Sequence, residues 1–145
     1  MFRTLSIFFI FLLLNVSSVS SSNFNYGSGY AAKSVLASQS LINAMDKIDD
    51  RIYAVGEHGI ILYSDDFGDS WTQAESVPYT STLTDISCSS KQSCWVTGHD
   101  ATILHSNDHG VTWIKQYEDP DWDAPLLSIH MFDDKVGIAI GAFTL

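Results

Sequence analysis

From Leu41 onward, apolar residues come in short runs separated by polar punctuation. The runs are rich in Val, Ile, Thr, Tyr and Trp, and Gly, Asp, Asn and Ser bound them. Short β-branched and aromatic runs between turn formers predict strands. In one clear stretch they fall near Leu83–Cys88, Cys94–Thr97, Thr102–His105 and Thr112–Tyr117. Beyond the N-terminal apolar run, no stretch carries a helical period.

The pattern recurs. "AVGEHGIILYSDDFGDSW" (Ala54 to Trp71) aligns without a gap on "VTGHDATILHSNDHGVTW" (Val96 to Trp113), at an offset of 42 residues. Seven positions are identical: Gly56/Gly98, Ile61/Ile103, Leu62/Leu104, Ser64/Ser106, Asp66/Asp108, Gly68/Gly110 and Trp71/Trp113. The preceding segments align too, ending at Gly56, at Gly98 and, in a third copy, at Gly141. Four short strands in a unit of about 42 residues is the arithmetic of a β-propeller blade. The fold class expected is therefore all-β, with blades of four antiparallel strands forming an incomplete propeller. Two blades and the start of a third span 41–145. A closed propeller takes roughly four to eight blades, so the chain is expected to be a fragment of a longer protein.

"SDDFGDSW" and "SNDHGVTW" share the form S-x-D-x-G-x-[S/T]-W. This resembles the Asp-box, or BNR repeat, of sialidases, sortilin-type receptor propellers, xyloglucan-cleaving hydrolases and photosystem II stability/assembly factor-like proteins. The longer frame "YAVGEHGIILYSDDFGDSW" is most similar to the last group, and the resemblance covers about Leu41 to Leu145. The box joins the third and fourth strands of a blade in such proteins. The resemblance implies a non-catalytic scaffold that binds protein partners.

The residue types of the box are those of a turn. Asp66 and Asp108 can accept bonds from turn N–H groups. Gly68 and Gly110 allow positive φ. Ser70 and Thr112 supply a further hydroxyl, Trp71 and Trp113 cover the turn, and Ser64 and Ser106 complete the structural set by identity. Asp65 and Asp69 become Asn107 and Val111 in the second copy, so a cation site does not recur. No metal or cofactor is expected.

Strand direction alternates within a blade, so the boxes share one face of the disc and the remaining loops share the other. Loops on one end of a rigid scaffold are where binding is usually found. The candidate binding residues on that second face are Glu57, His58, Tyr79, His99, Asp100, Asp121, Trp122 and Asp123.

Composition narrows the function classes. Lys and Arg number 7 against 17 Asp and Glu, a formal charge of -10 that argues against nucleic acid. One arginine, Arg51, follows the N-terminal segment, too few for the arginine triad that a sialidase places around its substrate carboxylate. There is no G-x-S-x-G elbow, P-loop or H-E-x-x-H. A protein or glycan ligand is expected, and no catalytic residue is assigned. The alternative is the N-terminal piece of a secreted glycoside hydrolase, sialidase- or xyloglucanase-like, whose further blades would carry an arginine triad or paired carboxylates in second-face loops.

The N-terminus supplies an address. Residues 1–22 begin with Arg3 and an apolar run from Leu5 to Leu14, then small residues, as in a secretory signal peptide. That run is shorter than the roughly 20 residues needed to span a bilayer, so no stable membrane anchor is expected. Residues 23–40 are Ser- and Gly-rich and predict a linker. A plastid lumen reached through a bipartite leader is the alternative to secretion. Cys88 and Cys94, in a predicted hairpin, predict a disulfide in such an oxidising compartment, against a metal or redox pair.

Overall fold

The structure is a computed structural model and describes residues 29–119, 121–122 and 124–142. The described residues form three antiparallel sheets and two short 3-10 turns. Blade one has strands β1 (Ile42–Ile48), β2 (Arg51–Gly56), β3 (Ile61–Ser64) and β4 (Thr72–Gln73), paired in chain order. Blade two repeats this with β5 (Leu83–Cys88), β6 (Cys94–Gly98), β7 (Ile103–Ser106) and β8 (Ile114–Tyr117). The third sheet is the pair β9 (Leu126–Met131) and β10 (Gly137–Gly141). This is a partial β-propeller, two blades and the first hairpin of a third.

The fourth strand of blade two starts two residues later than the pattern predicts. Thr112 is held in the preceding turn, its N–H bonded to Asp108 Oδ1 at 2.9 Å, and the ladder begins only at Ile114.

Among the described residues, no backbone ladder joins one sheet to the next. Side chains on the first strands span the gap instead. Asp46 Oδ2 accepts Cys88 N–H at 2.7 Å, and Asn43 Nδ2 donates to Leu83 O at 2.8 Å. One blade later, Asp85 Oδ2 accepts Ile129 N–H at 2.8 Å and the Ser128 hydroxyl at 2.7 Å, and Ser87 Oγ accepts Met131 N–H at 3.0 Å. Carboxylate acceptors suit this place because charge-assisted bonds are the stronger kind.

The main core is the contact between blades one and two. Tyr53, Val55 and Ile61 from blade one meet Cys94, Val96 and Leu104 from blade two, with Leu83, Ile86 and Trp113. β2 and β6 are covered on both faces because each lies inside a blade flanked by neighbours, which is why neither shows a simple apolar–polar alternation. β1 does alternate between half-buried and exposed positions.

The glycine ending each second strand is required by close approach. A Cβ on Gly56 would stand 1.9 Å from Leu41 O, on Gly98 2.9 Å from Thr82 O, and on Gly141 2.8 Å from Pro125 O.

The described part of the segment read as a linker, residues 29–40, lies against blade one. Ala31 N–H bonds to Val77 O, and Gln73 of β4 is bonded on both sides by Ala32 O and Ser34 N–H. The chain then crosses to the back of blade one, where Ala37 packs with Ala54, Ile60 and Leu62. Small side chains permit this close wrapping around the outer edge, which composition alone had suggested was flexibility. The expected signal peptide lies outside the described residues.

Cys88 and Cys94 form a disulfide across the last pair of the β5–β6 ladder. No helix among the described residues is long and apolar enough to cross a membrane.

Candidate functional site

The two S-x-D-x-G-x-[S/T]-W turns have the same bonding. In the first, the Ser64 hydroxyl donates to Asp66 Oδ1 at 2.7 Å and accepts Gly68 N–H at 2.9 Å. Asp66 also accepts Ser70 N–H at 2.9 Å and the Ser70 hydroxyl at 2.5 Å. In the second, Ser106 donates to Asp108 at 2.8 Å and accepts Gly110 N–H at 2.9 Å. Thr112 gives Asp108 its N–H at 2.9 Å and its hydroxyl at 2.5 Å. The leading serine thus works as both donor and acceptor, a role that the sequence pattern marked by identity without explaining.

Bonds to the ionised form lower a carboxyl pKa. The Ser70 hydroxyl and N–H, with Ser64, hold Asp66 down at about 2. Burial works against ionisation of Asp108, but its Thr112 and Ser106 bonds outweigh it and the net shift is downward. Both carboxylates are therefore ionised near neutral pH and already engaged by the turn.

The turns differ in their surroundings. Trp113 is buried in the main core and its Nε1–H donates to Gly110 O at 3.0 Å. Trp71 is half-buried and packs on the smaller cluster at the back of blade one. Asp65 is paired with Arg51 through two bonds of 2.7 and 2.6 Å, and this pairing holds its carboxyl below the usual range. Arg51 also reaches His109 O at 2.7 Å, so it links the first box to the second.

The opposite loops repeat as well. The β2–β3 turn carries Glu57, His58 and Gly59, and the β6–β7 turn carries His99, Asp100 and Ala101. His58 and Asp100 occupy equivalent positions with φ of 57° and 54°. Each turn is anchored to an inter-blade link by matching bonds. Glu57 N–H meets Leu41 O at 3.2 Å and His99 N–H meets Thr82 O at 3.1 Å. Gly59 N–H meets Ser81 O at 2.8 Å and Ala101 N–H meets Ala124 O at 3.2 Å.

The candidate residues separate into three groups. His58 and His99 are exposed at the tips of the two turns, with Glu57 half-buried beside the first. Asp100, Asp121 and Trp122 lie on one corner, because Asp119 N–H bonds to Asp100 O at 3.4 Å while Asp119 itself receives Asp121 N–H and Trp122 N–H. Trp122 is 38 % exposed. Tyr79 is different: it is 4 % exposed, and its hydroxyl donates to His99 O at 2.8 Å. A Cβ on Gly59 would stand 2.1 Å from Tyr79 O. Tyr79 therefore ties the two turns together from below, and burial and the Asp100 charge push its pKa up to about 12. Asp123 lies outside the described residues.

Asp119 was not singled out by the pattern, although it organises that corner. Its signal is the Asp-Pro step in "EDPDWDAP", a turn-forming combination. Among the described residues, no group of three or more His, Cys, Asp or Glu is placed to hold a metal ion. The arrangement offers two exposed imidazoles, a carboxylate corner and an indole on a face held by backbone bonds. Such a surface can bind a polypeptide through polar contacts and one aromatic anchor.

No family model matches the chain, and no curated protein matches it in sequence. Solved structures do match in fold. One is described as YCF48 bound to D1 peptide, with a TM-score of 0.58 and 21% identity, over 69% of this chain and 34% of that one. Another is YCF48 from Cyanidioschyzon merolae, with a TM-score of 0.57 and 21% identity over the same shares. The chain thus spans about a third of the length of the structures it matches. At this identity the likeness is one of fold, that of a β-propeller.

Proposed function

We propose that the chain is a non-catalytic, protein-binding propeller module, similar in role to the photosystem II assembly factor-like proteins. It takes an extended polypeptide segment on the face built from Glu57–Gly59, His99–Ala101 and the Asp119–Trp122 corner. The observation that carries this is the repeated anchoring of those turns, which sets exposed polar side chains at regular spacing on one rigid face. The structural neighbour bound to a D1 peptide supports peptide capture as something this fold does. The opposite, Asp-box face supports the non-catalytic part, since its paired carboxylates are spent on turn bonds.

An oxidising compartment, secretory or lumenal, goes with this reading. The apolar run from Leu5 to Leu14 and the Cys88–Cys94 disulfide support it.

The test is calorimetric titration of the full chain against a D1 peptide and an array of unrelated peptides. A His99→Ala, Asp121→Asn double variant should bind at least about tenfold more weakly, as expected for two polar contacts of about 1 kcal/mol each. Its melting temperature should be unchanged, because both side chains are exposed. Absence of saturable binding across the array, or binding indifferent to the double variant, would refute the reading. So would glycan hydrolysis by the purified chain.

A further inference from the structure

Two turns of the loop face lean on one connecting segment. The link from blade one to blade two, residues 74–82, runs between the Glu57–Gly59 turn and the His99–Ala101 turn. It holds each turn through the backbone. Ser81 O accepts Gly59 N–H at 2.8 Å, and the next carbonyl, Thr82 O, accepts His99 N–H at 3.1 Å. Both turns carry backbone strain. His58, Asp100 and Ala101 have φ of 57°, 54° and 48°, in the left-handed region that a Cβ disfavours. Such conformations persist only where the surrounding structure holds them.

Tyr79 is the residue of that link that reaches both. Its carbonyl oxygen lies so close to Gly59 that a Cβ there would stand 2.1 Å away. Its hydroxyl crosses to the other turn and donates to His99 O at 2.8 Å. The ring between these two contacts is buried and closely packed. A Cβ on Gly98 would stand 3.1 Å from its edge, and Lys115 Nζ lies 5.9 Å from its centroid. The link is fixed from outside as well, since Val77 O accepts Ala31 N–H and Tyr79 N–H, each at 2.9 Å. Two strained turns, one repeat apart, therefore share one rigid spacer. Coupling between sites is carried by such chains of packed and hydrogen-bonded groups.

We propose that Tyr79 is a positioning residue that couples the Glu57–Gly59 and His99–Ala101 turns, so that they receive a polypeptide as one unit and not as two separate contacts. This rests on the reading of the loop face as peptide-binding, and it adds cooperation within that face. A segment that contacts His99 steadies its turn. Through the Tyr79 hydroxyl and the link carbonyls, the turn of Glu57 and His58 then has less freedom left to lose. Contacts at one turn thereby strengthen contacts at the other. Tyr79 is buried, so it acts through the two turns and not by touching the peptide.

Tyr79→Phe keeps the ring and removes the bond to His99 O. Native-state hydrogen exchange on the full chain, without peptide, should quicken about two- to tenfold at His99 and at Gly59 together, as for the loss of one neutral hydrogen bond. The Asp69 N–H, bonded to Asp66 O in the first S-x-D-x-G-x-[S/T]-W turn, should keep its rate. Quickening confined to His99 overturns the coupling. Equal quickening at Asp69 also overturns it, because that is general loosening. The second arm is calorimetric titration of the full chain with the D1 peptide. Glu57→Gln and His99→Ala should weaken binding non-additively, by at least about threefold, when Tyr79 is present. The same two changes should add in the Tyr79→Phe background. Additive effects in both backgrounds overturn the proposal. A chain that binds no peptide sinks the reading of the face itself, and the exchange pattern then decides the coupling of the turns by itself.

Discussion

Asp108 is the single carboxylate of the second turn, and its oxygens are committed to turn bonds. It accepts from the Ser106 hydroxyl, the Thr112 N–H and the Thr112 hydroxyl, and Gly110 beside it touches Tyr53 across the blade contact. Replacing Asp108 with Ala removes the acceptor of two hydroxyls and an N–H, which costs about 1–3 kcal/mol. Urea unfolding followed by far-ultraviolet dichroism should show this as a lower midpoint. The acid limb follows from the same bonds. An unfolded aspartate titrates near about 3.9, whereas Asp66 is held at about 2 and Asp108 is also lowered. Both therefore contribute stability above the unfolded value, and that contribution disappears as pH falls toward about 2. The urea midpoint should fall more steeply between pH 5 and pH 2 in the wild type than in an Asp66→Asn, Asp108→Asn variant. Equal slopes would place the acid sensitivity elsewhere.

At the scale of the element, the β5–β6 hairpin is closed at its end by the disulfide, over a separation of 6 residues. A loop that short limits the unfolded chain by about 2 kcal/mol in the chain-entropy view. Reduction, or Cys88→Ser with Cys94→Ser, should lower stability by about that amount while far-ultraviolet dichroism stays the same. The hairpin was legible in the sequence because strand formers flank a polar "SSKQS" turn. The wrap of residues 31–40 around blade one was not. Its Ser and Ala residues carry no period, and its bonds run to Gln73 and Val77, about forty positions away. Only a folded blade edge gives such a segment anything to bind.

For the whole molecule, burial is uneven in a way that follows blade order. β2 and β6 sit inside a two-sided core, while β10, among the described residues, has one partner strand and exposed side chains throughout. Local opening costs least where few apolar contacts and few ladder bonds must break. Hydrogen exchange should accordingly be slowest at Tyr53, Val55 and Val96 and fastest, among strand residues, at Ile138 and Ile140. Protection of β10 equal to that of β6 would overturn this order.

The amino-acid sequence alone determined the blade. Strand period, turn residues and the 42-residue offset are local properties, and local propensity agrees with the fold at each. It also implied that the two S-x-D-x-G-x-[S/T]-W turns share one face, since strand direction alternates along the chain. Tertiary structure decided the roles within the loop face. Tyr79 and His99 are both polar loop residues in the sequence, but packing buries one as a tie beneath two turns and leaves the other at a tip. It likewise decided that Asp46 and Asp85 bridge neighbouring blades. Those outcomes depend on which surfaces meet around the propeller axis. Residues some forty positions apart meet there through their three-dimensional placement, which no local pattern encodes.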